Sequence, residues 1–232
     1  MRTVLEIIQD RHSARVPYDP SRPAGAAALE AILEAARWAP TAHNMQNFEI
    51  VVVDDPKLLA RIAAIRSHVS EVFLRENYLQ MSFSGHELLQ KRTGVLADMF
   101  PPAWRRADAK PEDIADLPHR NLGGSLQQCP TLLIVLYDAR KRAPASEGDV
   151  LGFMSLGCVM QNMWLMAQSL GLAAQVLSML SAEPIQAQLR PMVGFPAHMK
   201  VGFALRLGHP AAQADYLRVR RELHEFVHRN GY

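Results

Sequence analysis

Three clusters of residues in this chain have types and spacings that chemistry can use. Near the start, "RHSAR" places Arg11, Ser13 and Arg15 at alternate positions, so in an extended segment all three project to one side. Near the end, "RVRR" places Arg218 and Arg220 the same way. Arginine forks match phosphate geometry, and the alternative for either cluster is a set of solvated surface charges. The third cluster is "HEFVH", His224 to His228. On a helix its two histidines share a face and suit zinc, with Glu225 as the base. A catalytic zinc needs a third protein ligand, and after His228 only Arg229, Asn230, Gly231 and Tyr232 follow.

Between a helix-like stretch and an apolar run lies a fourth feature, "RWAPTAHNMQNFEIVVVDD". It packs Thr41, His43, Asn44, Gln46 and Asn47 into a short loop with no glycine. Other phosphate cradles are missing from the sequence. There is no G-x-G-x-x-G and no G-x-x-x-x-G-K-[ST], and "NLGGS" at 121–125 reads as a turn. A bound phosphate would therefore depend on side chains.

The elements that must position these groups follow from pattern. Thr3 and Glu6 have capping-box spacing ahead of Val4, Leu5, Ile7 and Ile8. Three prolines make the stretch after Asp10 a loop. "AAALEAILEAARWA" reads as a helix with Leu29, Ile32, Leu33 and Ala36 on its core face, stopped by Pro40. "FEIVVVD" and "TLLIVLYD" read as buried strands, with the helix "PKLLARIAAI" after the first. Ser84 and Glu87 predict a capped helix over "HELLQKRTGVLADM". Val150 to Ala182 holds no charged residue. Gln161, Asn162 and Gln168 argue against a membrane span for it and favour a helix buried on all sides, in a core or against a partner. The strand "AAQVLSML", a short helix near 183–190 and the strand "KVGFALRLG" complete an α/β or α+β domain spanning 1–232.

Bulk properties fit this outline. The chain has 232 residues, 49% apolar and 21% charged, with a formal charge of +2. That charge is too small to argue for nucleic acid or a membrane surface. Cys129 and Cys158 form no C-x-x-C and read as two buried thiols in a reducing compartment. "MRTVLEIIQD" lacks a signal peptide's apolar stretch, so the expectation is cytoplasmic.

Five stretches in one order carry a resemblance: "RHSAR", "ARWAPTAHNMQNFEIVVV", "QNMWLMAQSLGLAAQVLSM", "PAHMKVGFALRLGHP" and "RVRRELHEFV". Together they resemble the nitroreductase-like family of flavin mononucleotide (FMN) oxidoreductases, over residues 1–60 and 130–228. The resemblance implies an α+β fold with a mixed, mainly antiparallel central sheet flanked by helices, closed as an intertwined homodimer with FMN at the interface. Residues 68–128 fall where the family keeps a variable lid. There Tyr78, Phe83, Phe100 and Trp104 are candidates for the pocket wall, or for ordinary packing.

By family position, Arg218 and Arg220 would hold the FMN phosphate with Arg11, and Ser13 would meet the ribityl chain. Arg15 would stand beside the N1 edge of the ring, where a cation favours the reduced form. The family loop of type P-S-x-x-N-x-Q-P-W would lay its polar groups on the partner's flavin. Pro40, Thr41, Ala42, Asn44 and Gln46 match it, while Thr41 replaces Ser and Asn47-Phe48 replace Pro-Trp. Backbone near Leu177 and Ser178 would face N5. The implied activity is ping-pong transfer from NAD(P)H to a nitroaromatic, quinone or related small acceptor. The rivals are a non-catalytic flavin-binding module and the zinc hydrolase of His224, Glu225 and His228.

Overall fold

The computed structural model describes residues 2–66, 76, 80–97, 126, 128–213 and 217–232. Its internal packing resolves two compact units, Met1–Ser67 with Asn121–Ala214, and His68–Arg120 with Asp215–Tyr232.

The first unit is built on a four-stranded sheet of β1 (Glu49–Val53), β4 (Thr131–Asp138), β5 (Ala173–Leu177) and β6 (Met199–Gly208). Their order is β1-β4-β6-β5, and every pairing is antiparallel. This is the expected α+β arrangement. β4 reads as one continuous apolar run because both of its faces are covered. Leu132, Ile134 and Leu136 enter one core with Leu59 and Ile62 of α3 (Pro56–Ala63) and Ile185 and Leu189 of α6 (Glu183–Val193). Leu133 and Val135 enter the other, with Ile32 and Ala36 of α2 (Ala26–Arg37) and Val159 and Met163 of α5 (Val150–Ser169). In β6 the register shifts opposite Val135/Leu136. That bulge lets Val201 and Ala204, three residues apart, share one core.

α1 (Val4–Asp10) begins with the expected capping box, the Glu6 N–H reaching Thr3 and the Thr3 N–H reaching the Glu6 carboxylate. None of its residues is buried in the protomer. α5 is likewise only partly buried within this chain. Its C-terminal two-thirds is buried through Leu156, Val159, Met163, Trp164 and Ala167, while Val150, Leu151, Phe153 and Met154 are exposed. With the turn before it, Glu147–Ser169 is long and apolar enough to cross a membrane by length and composition, a test that core helices also pass. Cys129 is buried, but Cys158, expected buried, is only half-buried on α5.

In the second unit, the Ser84 capping box starts α4 (Gly85–Lys91), shorter than the predicted helix. Arg92 turns left-handed at φ 54, and Gly94 at φ 93 lets β3 (Val95–Leu96) close on β2 (Ser82–Phe83). A Cβ at Gly94 would sit 2.5 Å from the Met81 carbonyl oxygen, so a side chain there is excluded. Of the lid aromatics, Phe83 lies under the Lys91 ammonium at 4.9 Å. Tyr78, Phe100, Trp104 and the Gly pair at 121–125 lie outside the described residues.

Candidate active site

The "RHSAR" segment has no regular structure and is tied both to α5 and to the sheet. Arg11 closes α1 and stacks its guanidinium over the Trp164 ring at 4.3 Å. The Trp164 indole N–H in turn donates to the His12 carbonyl at 3.2 Å. The Ala14 N–H donates to the Ala174 carbonyl at 3.0 Å, beside β5. Ala14 is buried, whereas Arg11 and Ser13 are half-buried and Arg15 is exposed. Burial does not alternate strictly along the segment, because His12 is half-buried like Arg11 and Ser13 and only Ala14 is buried.

Beneath the segment lies a residue that the sequence reading missed. Arg206 of β6 is 3% exposed, and its Nη2 donates to the carbonyls of Ala14 at 2.8 Å and Val16 at 3.0 Å. The fully buried Tyr18 ring lies 4.3 Å from this guanidinium, and its hydroxyl donates to Ala14 as well. No carboxylate pairs with Arg206 among the described residues. Its Nε has no hydrogen-bond partner among them either, and a buried cation met only by carbonyls and a ring keeps a positive field toward the segment above it. The charge inside "GFALRLG" was the available signal.

The polar loop takes a conformation that its sequence hides. His43, Asn44 and Gln46 adopt φ of 51, 52 and 47, the left-handed region normally left to glycine. Two anchors hold it. At the entrance, the Ala42 N–H donates to Ser155 Oγ of α5 at 2.9 Å. At the exit, the Asn47 carboxamide accepts from the Asp138 N–H at 3.3 Å. It also donates to the carbonyls of Asp138 at 3.3 Å and Lys141 at 3.2 Å. Asp138 is itself fixed by Arg140, which reaches both carboxylate oxygens at 3.0 and 2.9 Å. That side-chain pairing holds the Asp138 carboxyl far below the usual carboxylate range. Within the loop, the Gln46 amide donates to Asn44 Oδ1 at 3.2 Å, and its N–H to Thr41 Oγ1 at 3.1 Å. Asn44, Gln46 and Pro40 are exposed, while Thr41 and Ala42 are half-buried.

β5 ends at Leu177, so "AAQVLSML" is a strand only in its first five residues. A 3-10 turn, Ser178–Ser181, follows. Leu177 is buried and Ser178 is exposed. A cavity of about 580 Å³ reaches Ser178 and is walled by Tyr137, Phe153, Met160, Val176 and Phe203. Lys200, also in its lining, pairs with Glu183 at 2.9 Å.

Arg218 and Arg220 stand in the second unit, both exposed, in a stretch without regular structure. The histidine motif there is not helical. Only Leu223–Glu225 form a 3-10 turn, so His224 and His228 do not share a helix face. Glu225 and Glu222 instead approach Arg92 at 3.5 and 3.2 Å. No group of three His, Cys, Asp or Glu able to hold a metal occurs among the described residues. The Cys129 thiol is pushed up by burial, which keeps it protonated and unreactive.

The sequence model of the Nitroreductase family matches residues 8–209. No curated protein matches the chain. Among solved structures, a BluB-like flavoprotein from Clostridium difficile 630 is similar at 19% identity, with TM-score 0.66 and full coverage of both chains. An FMN-dependent nitroreductase from Clostridium difficile R20291 is 16% identical with TM-score 0.64, covering 98% of this chain and 99% of that one. A nitroreductase with bound FMN from Bacteroides fragilis NCTC 9343 is 21% identical with TM-score 0.63, covering 99% and 100%.

Proposed function

The chain belongs to the Nitroreductase family, and on that footing we propose that it is an FMN-dependent NAD(P)H oxidoreductase. In this reading its acceptors are nitroaromatic, quinone-like or related small molecules, reduced by a ping-pong cycle. The whole chain, 1–232, serves as one flavin-binding domain, with 68–128 as its lid. The observation that carries the reading is the "RHSAR" segment, where Arg11 and Ser13 are half-buried, Arg15 is exposed and the backbone at Ala14 is held by the buried Arg206. Such a surface suits a ligand with a dianionic phosphate, a hydroxylated chain and a ring that collects negative charge.

FMN, when bound, would supply hydride acceptance at N5 and delivery to the second substrate. The rest is the work of this chain. Arg11, Arg218 and Arg220 hold the phosphate, and Ser13 hydrogen-bonds the ribityl chain. Arg15 keeps a fixed positive charge beside the ring edge where negative charge gathers, which favours reduction. The backbone of Leu177 and Ser178 faces the reacting edge. Pro40, Thr41, Ala42, Asn44 and Gln46 act on the flavin of a partner chain, which gives their exposed polar groups a purpose. The homodimer is supported by the apolar residues that α1 and α5 leave exposed, Val4, Leu5, Val150, Phe153 and Met154. Mutual burial of those faces leaves a soluble cytoplasmic protein.

Purified protein should be yellow, with flavin bands near ~450 and ~370 nm. Under anaerobic conditions NADH or NADPH should bleach it, and adding a quinone should restore the colour. A yellow protein that neither nucleotide bleaches would be a flavin-binding module. A colourless protein that refuses added FMN and carries zinc would favour the hydrolase.

A further inference from the structure

The loop at 41–47 raises a physical problem. Three of its residues, His43, Asn44 and Gln46, hold positive φ without being glycine. Conformations of that kind cost on the order of 1–3 kcal/mol each and persist only where the surroundings over-determine them. The loop's internal bonds, Asn44 N–H to Thr41 O, Met45 N–H to Ala42 O, Phe48 N–H to Gln46 O and Gln46 N–H to Thr41 Oγ1, are those of tight turns. They do not require left-handed backbone at both His43 and Gln46. The constraint comes from outside the loop.

That outside constraint is visible at its two ends. Ser155 on α5 accepts the Ala42 N–H at 2.9 Å while donating to the Leu151 carbonyl at 2.7 Å, so its hydroxyl is oriented by the helix. Asn47 uses both faces of its carboxamide against the end of β4, at Asp138 and Lys141. The Arg140 fork on Asp138 stiffens the same corner. Residues that are 113 and 91 positions away in sequence thus fix the loop's entrance and exit. Held so, the Asn44 and Gln46 side chains bond to each other and stay exposed.

We infer that Ser155 and Asn47 are positioning residues, which hold the 41–47 loop in a strained, preformed shape so that Asn44 and Gln46 meet the flavin without further ordering. Pre-organisation of this kind strengthens binding by removing the cost of ordering the loop afterwards. The inference rests on the functional reading above, and it assigns a specific task to the position where Asn47 replaces proline. Neither residue touches the ligand in this scheme.

The test compares Ser155→Ala, Asn47→Ala and Ser155→Thr with the parent. Amide hydrogen exchange on the flavin-free proteins reads the anchors themselves. Exchange at Ala42 should quicken in S155A and at Asp138 in N47A, with residues 43–46 quickening in both. FMN titration by fluorescence quenching reads the consequence. Both alanine variants should bind roughly tenfold more weakly, for the loss of one to a few hydrogen bonds. S155T, which keeps the hydroxyl, should bind like the parent. The thermal midpoint of the flavin-free alanine variants should stay within about 5 °C of the parent, which separates lost positioning from lost folding. Unchanged exchange at 43–46, or FMN affinity within twofold of the parent in both alanine variants, overturns the inference. A parent protein that binds no flavin overturns the functional reading and this inference with it. A parent that binds FMN and alanine variants that bind it equally well overturn this inference alone.

Discussion

Arg15 and Arg220 are both exposed cations, yet the proposed site gives them different work. In the proposed site Arg220 would face a phosphate that carries nearly two charges in every redox state, so it would affect binding and not the reaction. A charge-assisted contact of this type contributes about 1.5–3 kcal/mol. Arg220→Ala should therefore weaken FMN binding roughly 10- to 100-fold and leave the rate of flavin reduction near the parent's. Arg15 faces charge that appears only on reduction, so Arg15→Ala should slow bleaching by NAD(P)H at saturating FMN. Fluorescence titration and stopped-flow absorbance separate the two effects, and a variant pair with exchanged phenotypes would reverse the assignment. At this scale the sequence offers local spacing, as in "RHSAR", from which the roles of Arg11, Ser13 and Arg15 are proposed. It did not give the partners of Arg206, Ser155 and Asn47, which are carbonyls and amides from 91 to 192 positions away. Spacing along the chain carries no information about such pairs.

Elements with a local signal were legible. The capping boxes at Thr3 and Ser84 open α1 and α4 where expected, because the signal and the structure involve the same four residues. The doubly buried β4 announced itself by unbroken hydrophobicity. Element ends were harder. α4 stops at Lys91 because the chain turns left-handed at Arg92 and Gly94 to form β3, a pairing with no helix-breaking proline to signal it. The "HEFVH" match failed because a spacing argument holds only on a helix, and this stretch has one short 3-10 turn. α5 was expected to be buried on every side, in a core or against a partner, and within this chain its first turns are bare, with Met154 61% exposed. The proposed homodimer would cover these residues. Met154→Asp should place a charge in the covered face and cost far more than an exposed substitution does. Light scattering at micromolar concentration should report a monomer for this variant and a dimer for the parent. A dimeric variant would remove α5 from the interface.

For the whole molecule, the central claim is that each flavin is served by two chains. The account assigns Arg220 and Asn44 of one chain to different flavins, and two-fold symmetry makes that exchange reciprocal. Asn44→Ala and Arg220→Ala homodimers should each bind FMN poorly, because every site in either carries one defect. Unfolded together in equal amounts and refolded, about half of the dimers should be mixed if pairing is random. In a mixed dimer one site receives both defects and the other receives none. Flavin occupancy should then recover to roughly a quarter of the parent's sites. If both residues served a flavin held by their own chain, every site in the mixture would still carry one defect. Occupancy would stay at the level of the separate variants despite proven subunit exchange, and that result would contradict the shared site.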